Sequence, residues 1–379
     1  LGKFEALNGF NLTCNRITKL LQPQVVFMAH LGSLDSTEWR PMTRKLLAFC
    51  LATTILIAGS SLRAGETERG ATGRADNALW MRRHWLHEAP GSEEIAALVA
   101  SLRERGIGRI YPFLGPMDAE GWPGWRSKAG HARYVPERAG AFLAEIHRIA
   151  PEIRVIPWSG GNLGRDVHLD DAAQRRAFAE HARGLVALGA DGIQLNIEPL
   201  PSGTAAYLDL LREVKAAIGE RTLSVAAYPP PQEGEPASDT YWDLPFARQV
   251  CQIADELAVM SYDTGLKSAS AYEALVATWT RQLAATLPPP EAKGCEWLMG
   301  VPAYDDDKDY HRPDVETVEH GLNGILAGLR GIGRGSGFRG VAIYASFTTD
   351  EPKWAVYGRL WRGTQGFATP PPDPRNTTE

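Results

Sequence analysis

Glu198 is the residue of this sequence best placed for acid–base chemistry. It closes the run Asp191-Gly192-Ile193-Gln194-Leu195-Asn196-Ile197-Glu198, in which polar and apolar residues alternate. Side chains of a strand alternate faces, so Gln194, Asn196 and Glu198 point the same way, and Pro199 helps to end the strand after them. A carboxyl group at the end of such a column, ringed by aromatic side chains and above two amides, is partly withdrawn from water. Its pKa rises, and it can act as a general acid. The plainer alternative is a strand-end glutamate that pairs with an arginine or caps a loop. The two inward amides weigh against that alternative, since burying Gln and Asn side by side costs free energy unless they bond each other or a ligand.

The elements around this run decide where Glu198 would sit. Short β-rich runs begin near Leu79 (LWMRRHWL), Arg109, Arg154, Gly192, Thr222, Leu257, Trp297 and Gly340. Between and after them lie amphipathic stretches: 93–105, 137–149, 172–188, 204–218, 241–253, 271–287, 315–329 and 351–361. Eight strands alternating with eight helices over residues 76–364 predict an α/β fold, a single-domain (β/α)8 TIM barrel. A doubly wound open sheet is the rival, but no glycine-rich phosphate loop follows the first strand. In a barrel, chemistry belongs at the C-terminal ends of the strands. Trp158, Glu198, Tyr228, Asp263, Tyr304 and Tyr344 each close a strand in this reading.

Four fragments in strand order resemble glycoside hydrolase family 18, the chitinases and endo-β-N-acetylglucosaminidases. D-G-x-x-x-x-x-E (Asp191 to Glu198) is similar to the family's D-G-x-D-x-D-x-E on strand four. Met260-Ser261-Tyr262-Asp263 resembles M-x-Y-D, and Gly300-Val301-Pro302-Ala303-Tyr304 resembles G-x-P-x-Y. Gly340 to Tyr344 resembles the last strand, with Tyr344 where Trp is usual. Trp158-Ser159-Gly160-Gly161 matches the third-strand S-x-G-G in part.

The resemblance implies substrate-assisted hydrolysis, in which the sugar's own 2-acetamido oxygen attacks the anomeric carbon. It implies Glu198 as acid and then base, Asn196 beside the acetamide N–H and Gln194 as its support. Tyr262 would donate to the acetamide oxygen, and Tyr344 would floor the reacting sugar. Asp191, Trp158, Asp263 and Tyr304 complete the expected sugar-binding set. The expected partner is an N-acetylated oligosaccharide or polysaccharide, with no cofactor and no metal. Asn196 and Gln194 depart from the family's two aspartates and remove charge that would stabilise an oxazolinium ion. Glycoside hydrolase family 85 also resembles this stretch, with Asn and Glu two residues apart.

Other readings remain. A double-displacement glycosidase needs Asn adjacent to Glu and a second Glu ending strand seven, whereas Ile197 intervenes and Asp305 follows Tyr304. A non-catalytic, lectin-like barrel would bind sugars by aromatic stacking alone. A metal hydrolase could draw on Asp305, Asp306, Asp307, Asp309 and His311, although no metal-ligand spacing accompanies that charge run. Trp122 and Trp125 either extend a cleft or pack on the barrel top, while Trp279, Trp354 and Trp361 are expected to pack.

Composition bounds the rest. With 44% hydrophobic and 22% charged residues the 379-residue chain can bury a large core. A net charge of −5 and a pI near 6.0 argue against a nucleic-acid or anionic-membrane binder. Residues 42–64 read as a signal peptide: Arg44 and Lys45, an apolar run from Leu46 to Ala58, then small residues. Residues 1–41 read as an upstream mis-start or an extension. The expectation is therefore a secreted or periplasmic protein with no membrane span after processing. Removing residues 1–64, with seven Lys/Arg and three Asp/Glu, takes the net charge from −5 to −9. Cys251 and Cys295 then remain, and two separate buried thiols are expected over a bridge. Residues 365–379 are proline-rich and read as a loose tail.

Overall fold

Eight parallel staves close into a ring in the computed structural model, which describes residues 76–127, 130–232, 238–332 and 336–363. The expectations for the signal peptide, the upstream segment and the tail concern residues outside these. The strands are β1 (Asn77–Met81), β2 (Ile107–Pro116), β3 (Gly124–Ser127), β4 (Gly130–Arg133), β5 (Arg154–Val155), β6 (Trp158–Asn162), β7 (Gly192–Glu198), β8 (Thr222–Ala227), β9 (Glu256–Val259), β10 (Glu296–Pro302) and β11 (Phe338–Tyr344). Hydrogen bonding runs in sequence order from β6 to β11, and β1 closes the ring between β11 and β2. β5 and β6 share one stave beside β2, split at Pro157, which has no N–H for the ladder.

The helices are α1 (His84–His87), α2 (Ser92–Arg105), α3 (Pro136–Ile149), α4 (Ala172–Ala187), α5 (Ala205–Ile218), α6 (Leu244–Cys251), α7 (Ala269–Thr286), α8 (Val318–Leu329) and α9 (Glu351–Leu360). Side chains set several of their starts. Asp171, Asp243, Ser268, Thr317 and Asp350 each accept a backbone N–H of the first turn. None of the described helices is long and apolar enough to cross a membrane.

Burial separates two layers, as a barrel requires. The larger cluster packs the outer strand faces against the helices. A smaller one fills the lumen with Ala78, Trp80, Tyr111, Ile156, Ala258, Leu298, Ala342 and Ala345.

Three sequence expectations are corrected. The first strand ends at Met81, and His84–His87 forms a helical turn in which Trp85, Leu86 and His87 are all buried. Leu86 N and His87 N both donate to Arg83 O, at 3.0 and 3.1 Å, which closes a helical turn in place of the strand. The residues after Trp122 form an unforeseen antiparallel hairpin, β3–β4. Finally, Cys251 and Cys295 form a disulfide, with Cα atoms 5.1 Å apart. The end of α6 and the start of β10 both lie at the N-terminal end of β9, where Glu296 N bonds Asp255 O at 2.9 Å.

Candidate active site

β7 delivers its inward column to the barrel mouth. Glu198 ends the strand, and its Oε2 accepts a hydrogen bond from Tyr228 OH at 3.1 Å. Its backbone carbonyl accepts from Asn162 Nδ2 at 3.0 Å, which ties the strand end to β6. Burial raises the Glu198 pKa above the usual carboxylate range. Hydrogen bonds from Asn196 and Tyr228 pull the other way, and the charge of Asp263 adds to the rise. A carboxyl group with raised proton affinity at the mouth of a barrel is suited to protonate a leaving group.

Asn196, one pleat below, carries a chemically informative defect. Its Oδ1 is shielded from water and has no hydrogen-bond partner. A buried acceptor left empty costs about 1–3 kcal/mol, so a ligand N–H delivered there would recover that free energy. The backbone around it is tight: a Cβ on the facing Gly160 would lie 1.7 Å from Asn196 O. Only glycine lets β6 approach β7 this closely.

Gln194 behaves otherwise, and here the sequence expectation is corrected. It is wholly buried; its Oε1 accepts from Trp80 Nε1 at 2.7 Å and its Nε2 donates to Ser224 Oγ at 3.0 Å. Both ends of the amide are thus engaged within the lumen, and it does not bond Asn196. Register explains this. Trp158, Gln194, Ser224, Glu256 and Glu296 are successive neighbours across β6 to β10. In a barrel of tilted strands such a row climbs from floor to mouth. Ser224 donates to Glu256 at 2.8 Å, Tyr111 OH to Glu256 at 2.5 Å, and Arg109 to Glu256 and Glu296 at 2.7 and 2.5 Å. The carboxylates of the lumen thus lie lower along this same row, paired with the buried Arg109.

Aromatic side chains build the floor and one wall. Tyr344 lies edge-on over Trp80 at 5.7 Å and stacks with Tyr262 at 5.8 Å, while Tyr304 meets both tyrosines edge-on. Among the described residues the Tyr262 hydroxyl has no hydrogen-bond partner. Burial and the neighbouring Tyr344, Asp263 and Glu198 raise its pKa, so it stays a donor. Gly300 makes room for it, since a Cβ there would lie 3.0 Å from Tyr262 Cε1. Trp158 stacks on Phe113 at 3.9 Å, and its Nε1 is buried without a partner. Trp125 stands exposed beyond Phe113 on the hairpin, with Arg83 over its ring at 4.8 Å. Trp122 packs on His181 and Tyr134, and Trp279 and Trp354 are buried in the helical layer.

Asp263 is not a free ligand. It accepts from Tyr304 OH and pairs with His311 Nδ1 at 3.1 Å, while its N–H donates to Glu316 Oε2 at 2.5 Å. Asp263, His311 and Glu316 are the described residues whose side chains converge as a cation cage would require. In the acidic run considered for a metal, Asp305 instead pairs with Lys353 at 2.6 Å. Asp191 is a second correction to the expected sugar-binding set. It precedes the first residue of β7, where it accepts from Val155 N at 2.8 Å and pairs with His147 at 2.9 Å. Seven residues of strand put it roughly 20 Å from Glu198, at the opposite end of the barrel.

Sequence reasoning missed Trp80, the Tyr228–Glu198 bond and the pairing of His311 with Glu316. Tyr228 had a signal, since it closes the fifth stave. Glu316 sits in a loop and had none.

No protein-family model and no curated protein matches this sequence. Solved structures do. The spore cortex-lytic enzyme SleL of Bacillus megaterium superposes with a TM-score of 0.50 at 11% identity, covering 75% of this chain and 73% of that one. SleL of Bacillus cereus gives 0.49 at 12%, covering 74% and 72%. A chitinase from Chromobacterium violaceum gives 0.45 at 16%, covering 74% and 96%. At such identity the likeness speaks for the fold alone: the chain is a (β/α)8 barrel.

Proposed function

We propose that the protein is an exported glycoside hydrolase that cleaves N-acetylglucosamine-containing glycans by substrate-assisted, retaining hydrolysis. The observation that carries this reading is the trio at the mouth: a Glu198 carboxyl whose pKa burial raises, an empty acceptor on Asn196, and the Tyr262 hydroxyl, which stays a donor. An acetamido group offers one N–H and one C=O, the complement of Asn196 Oδ1 and Tyr262 OH. Asp263, the carboxylate that acts electrostatically on Glu198, is held by His311 and Tyr304, which leaves the nucleophile's role to the substrate.

In the first step the acetamide oxygen bonds to the anomeric carbon as the glycosidic C–O bond breaks, and the Glu198 proton passes to the leaving oxygen. Water then adds to the anomeric carbon as its bond to the acetamide oxygen breaks and the acetamido group is restored, and the water's proton passes to Glu198. Asn196 orients the acetamide through its N–H, while Tyr344 and Trp80 lie beneath the sugar. The disulfide supports export, because such bridges persist in oxidising compartments.

The test is turnover of N-acetylglucosamine oligosaccharides by wild type and Glu198→Gln, beside the same sugars lacking acetyl groups. Turnover should vanish in the variant while binding persists, and de-acetylated sugar should not be cleaved. Equal cleavage of both sugars would end the substrate-assisted mechanism. A second reading, a lectin-like barrel, is favoured by the two neutral amides of β7, Gln194 and Asn196, which put no negative charge below the acetamide. Binding without turnover by wild type would select it.

A further inference from the structure

The loop after β10 reaches back to the mouth through one side chain. His311 is fully buried, and its ring lies on the Tyr304 ring with centroids 4.1 Å apart and planes 27° from parallel. Its Nδ1 is 3.1 Å from Asp263 Oδ1 and 3.5 Å from Glu316 Oε2. Tyr304 OH donates to the same Asp263 oxygen. Both oxygens of Glu316 also receive donors, from Asp263 N, Thr264 N and Thr264 Oγ1. Three chain segments, following β9, following β10 and preceding α8, thus meet on two carboxylates and one imidazole. Asp263 adopts φ +62°, so the chain turns sharply where it presents both its N–H and its carboxylate to this cluster.

We propose that His311 is a positioning residue of the mouth: as an imidazolium it clamps Asp263 and the Tyr304 ring, and thereby holds the loop after β10 as a wall of the sugar cleft. Two carboxylates drawn this close repel unless a cation stands between them, and an aromatic ring stacked on Tyr304 supplies it with a fixed direction. Asp263, Tyr304 and Glu316 face His311, with both carboxylates at ion-pair distance from Nδ1, while its Nε2 is buried without a hydrogen-bond partner. On its own loop, Arg312 turns to Asp314 at 3.5 Å and Tyr310 is exposed. Burial works against the charge of His311, but Asp263 and Glu316 outweigh it and raise the pKa to about 9. A pKa raised on folding stabilises the fold fully below the ordinary histidine value. That contribution is lost as pH climbs from there through about 9.

The role in sugar binding rests on the proposed function; the clamp itself does not. Nuclear magnetic resonance of labelled histidine in the full chain should find His311 protonated at neutral pH and titrating near pH 9. A neutral imidazole at neutral pH would overturn the clamp. His311→Phe keeps the stack and removes the N–H, whereas His311→Gln keeps a donor without charge. In a Glu198→Gln background, calorimetry with an N-acetylglucosamine oligosaccharide should show His311→Phe binding about tenfold or more weakly, with His311→Gln between. With Glu198 intact, KM should rise by that factor while kcat stays within about threefold. Wild-type affinity should fall as pH passes the His311 pKa, and the variants should lack that step. Unchanged binding in a folded His311→Phe protein would refute the positioning role. Stoichiometric zinc binding that His311→Phe abolishes would refute the clamp in favour of a metal centre. If no form binds the sugar, the proposed function fails, yet the clamp still stands or falls on the histidine titration and on faster amide exchange across residues 304–311 in the variants.

Discussion

Asn196→Leu separates function from stability at one atom. The change is nearly isosteric, and it removes two things of opposite sign. The hydrogen bond from Asn196 to Glu198 disappears, a loss of about 1.5–3 kcal/mol when the partner is charged. The unpartnered Oδ1 disappears as well, which relieves a burial cost of about 1–3 kcal/mol. These nearly cancel, so stability should stay within about 1 kcal/mol of wild type and Tm within about 3 °C. Function has no such compensation. The substrate's acetamide N–H loses its acceptor at the moment the reaction needs orientation, a loss of about 1–3 kcal/mol that lowers kcat/KM by roughly 5- to 150-fold. The Asn196 donor also holds the Glu198 pKa down, so without it the pKa rises and the basic limb of the pH–rate profile moves to higher pH. Thermal melts beside kcat/KM on an N-acetylglucosamine oligosaccharide, measured across pH, read all three quantities. A variant that cleaves like wild type, or that loses several kcal/mol of stability while binding normally, would show that Oδ1 is a structural atom and refute the reasoning.

Asn196→Asp should impair cleavage about tenfold or more, because the new carboxylate adjoins Glu198 while the buried Arg109 is already shared by Glu256 and Glu296. Faster hydrolysis by that variant would instead favour the charged family 18 arrangement. Replacing both Cys251 and Cys295 by Ala opens a bridge across a sequence separation of 44 residues, and chain entropy predicts a loss of about 4 kcal/mol, readable in urea denaturation. Gly160→Ala forces β6 away from the Asn196 carbonyl, and a displacement near 1 Å at that place should cost about 100-fold in kcat/KM. Wild-type rates from Gly160→Ala would mean that the β6–β7 spacing does not position the site.

Much of the scaffold was legible because period-two and period-3.6 patterns report local burial directly. Within a few residues, the alternating runs became the strands of the barrel and the amphipathic runs its helices. Strand-end arithmetic carried Glu198, Asp263, Tyr304 and Tyr344 to one mouth for the same reason: parallel staves point their C-terminal ends the same way. The hairpin after Trp122 was not legible, since four-residue strands in a glycine-rich stretch carry too few side chains for a periodic signal.

Alternation along one strand also determined that Gln194, Asn196 and Glu198 share a face. It did not determine what each side chain meets there. Partners across a barrel depend on register and tilt, which bring residues more than a hundred positions apart into contact, as with Trp80 and Gln194 or Arg109 and Glu256. Tertiary structure alone decided that Gln194 is engaged by Trp80 and Ser224, that Asn196 keeps an empty acceptor and that Asp191 lies at the far end of the barrel. It likewise decided the pairing of Cys251 with Cys295 and the convergence of Asp263, His311 and Glu316, because such contacts are set by the closure of the ring and not by any property of the segments that make it.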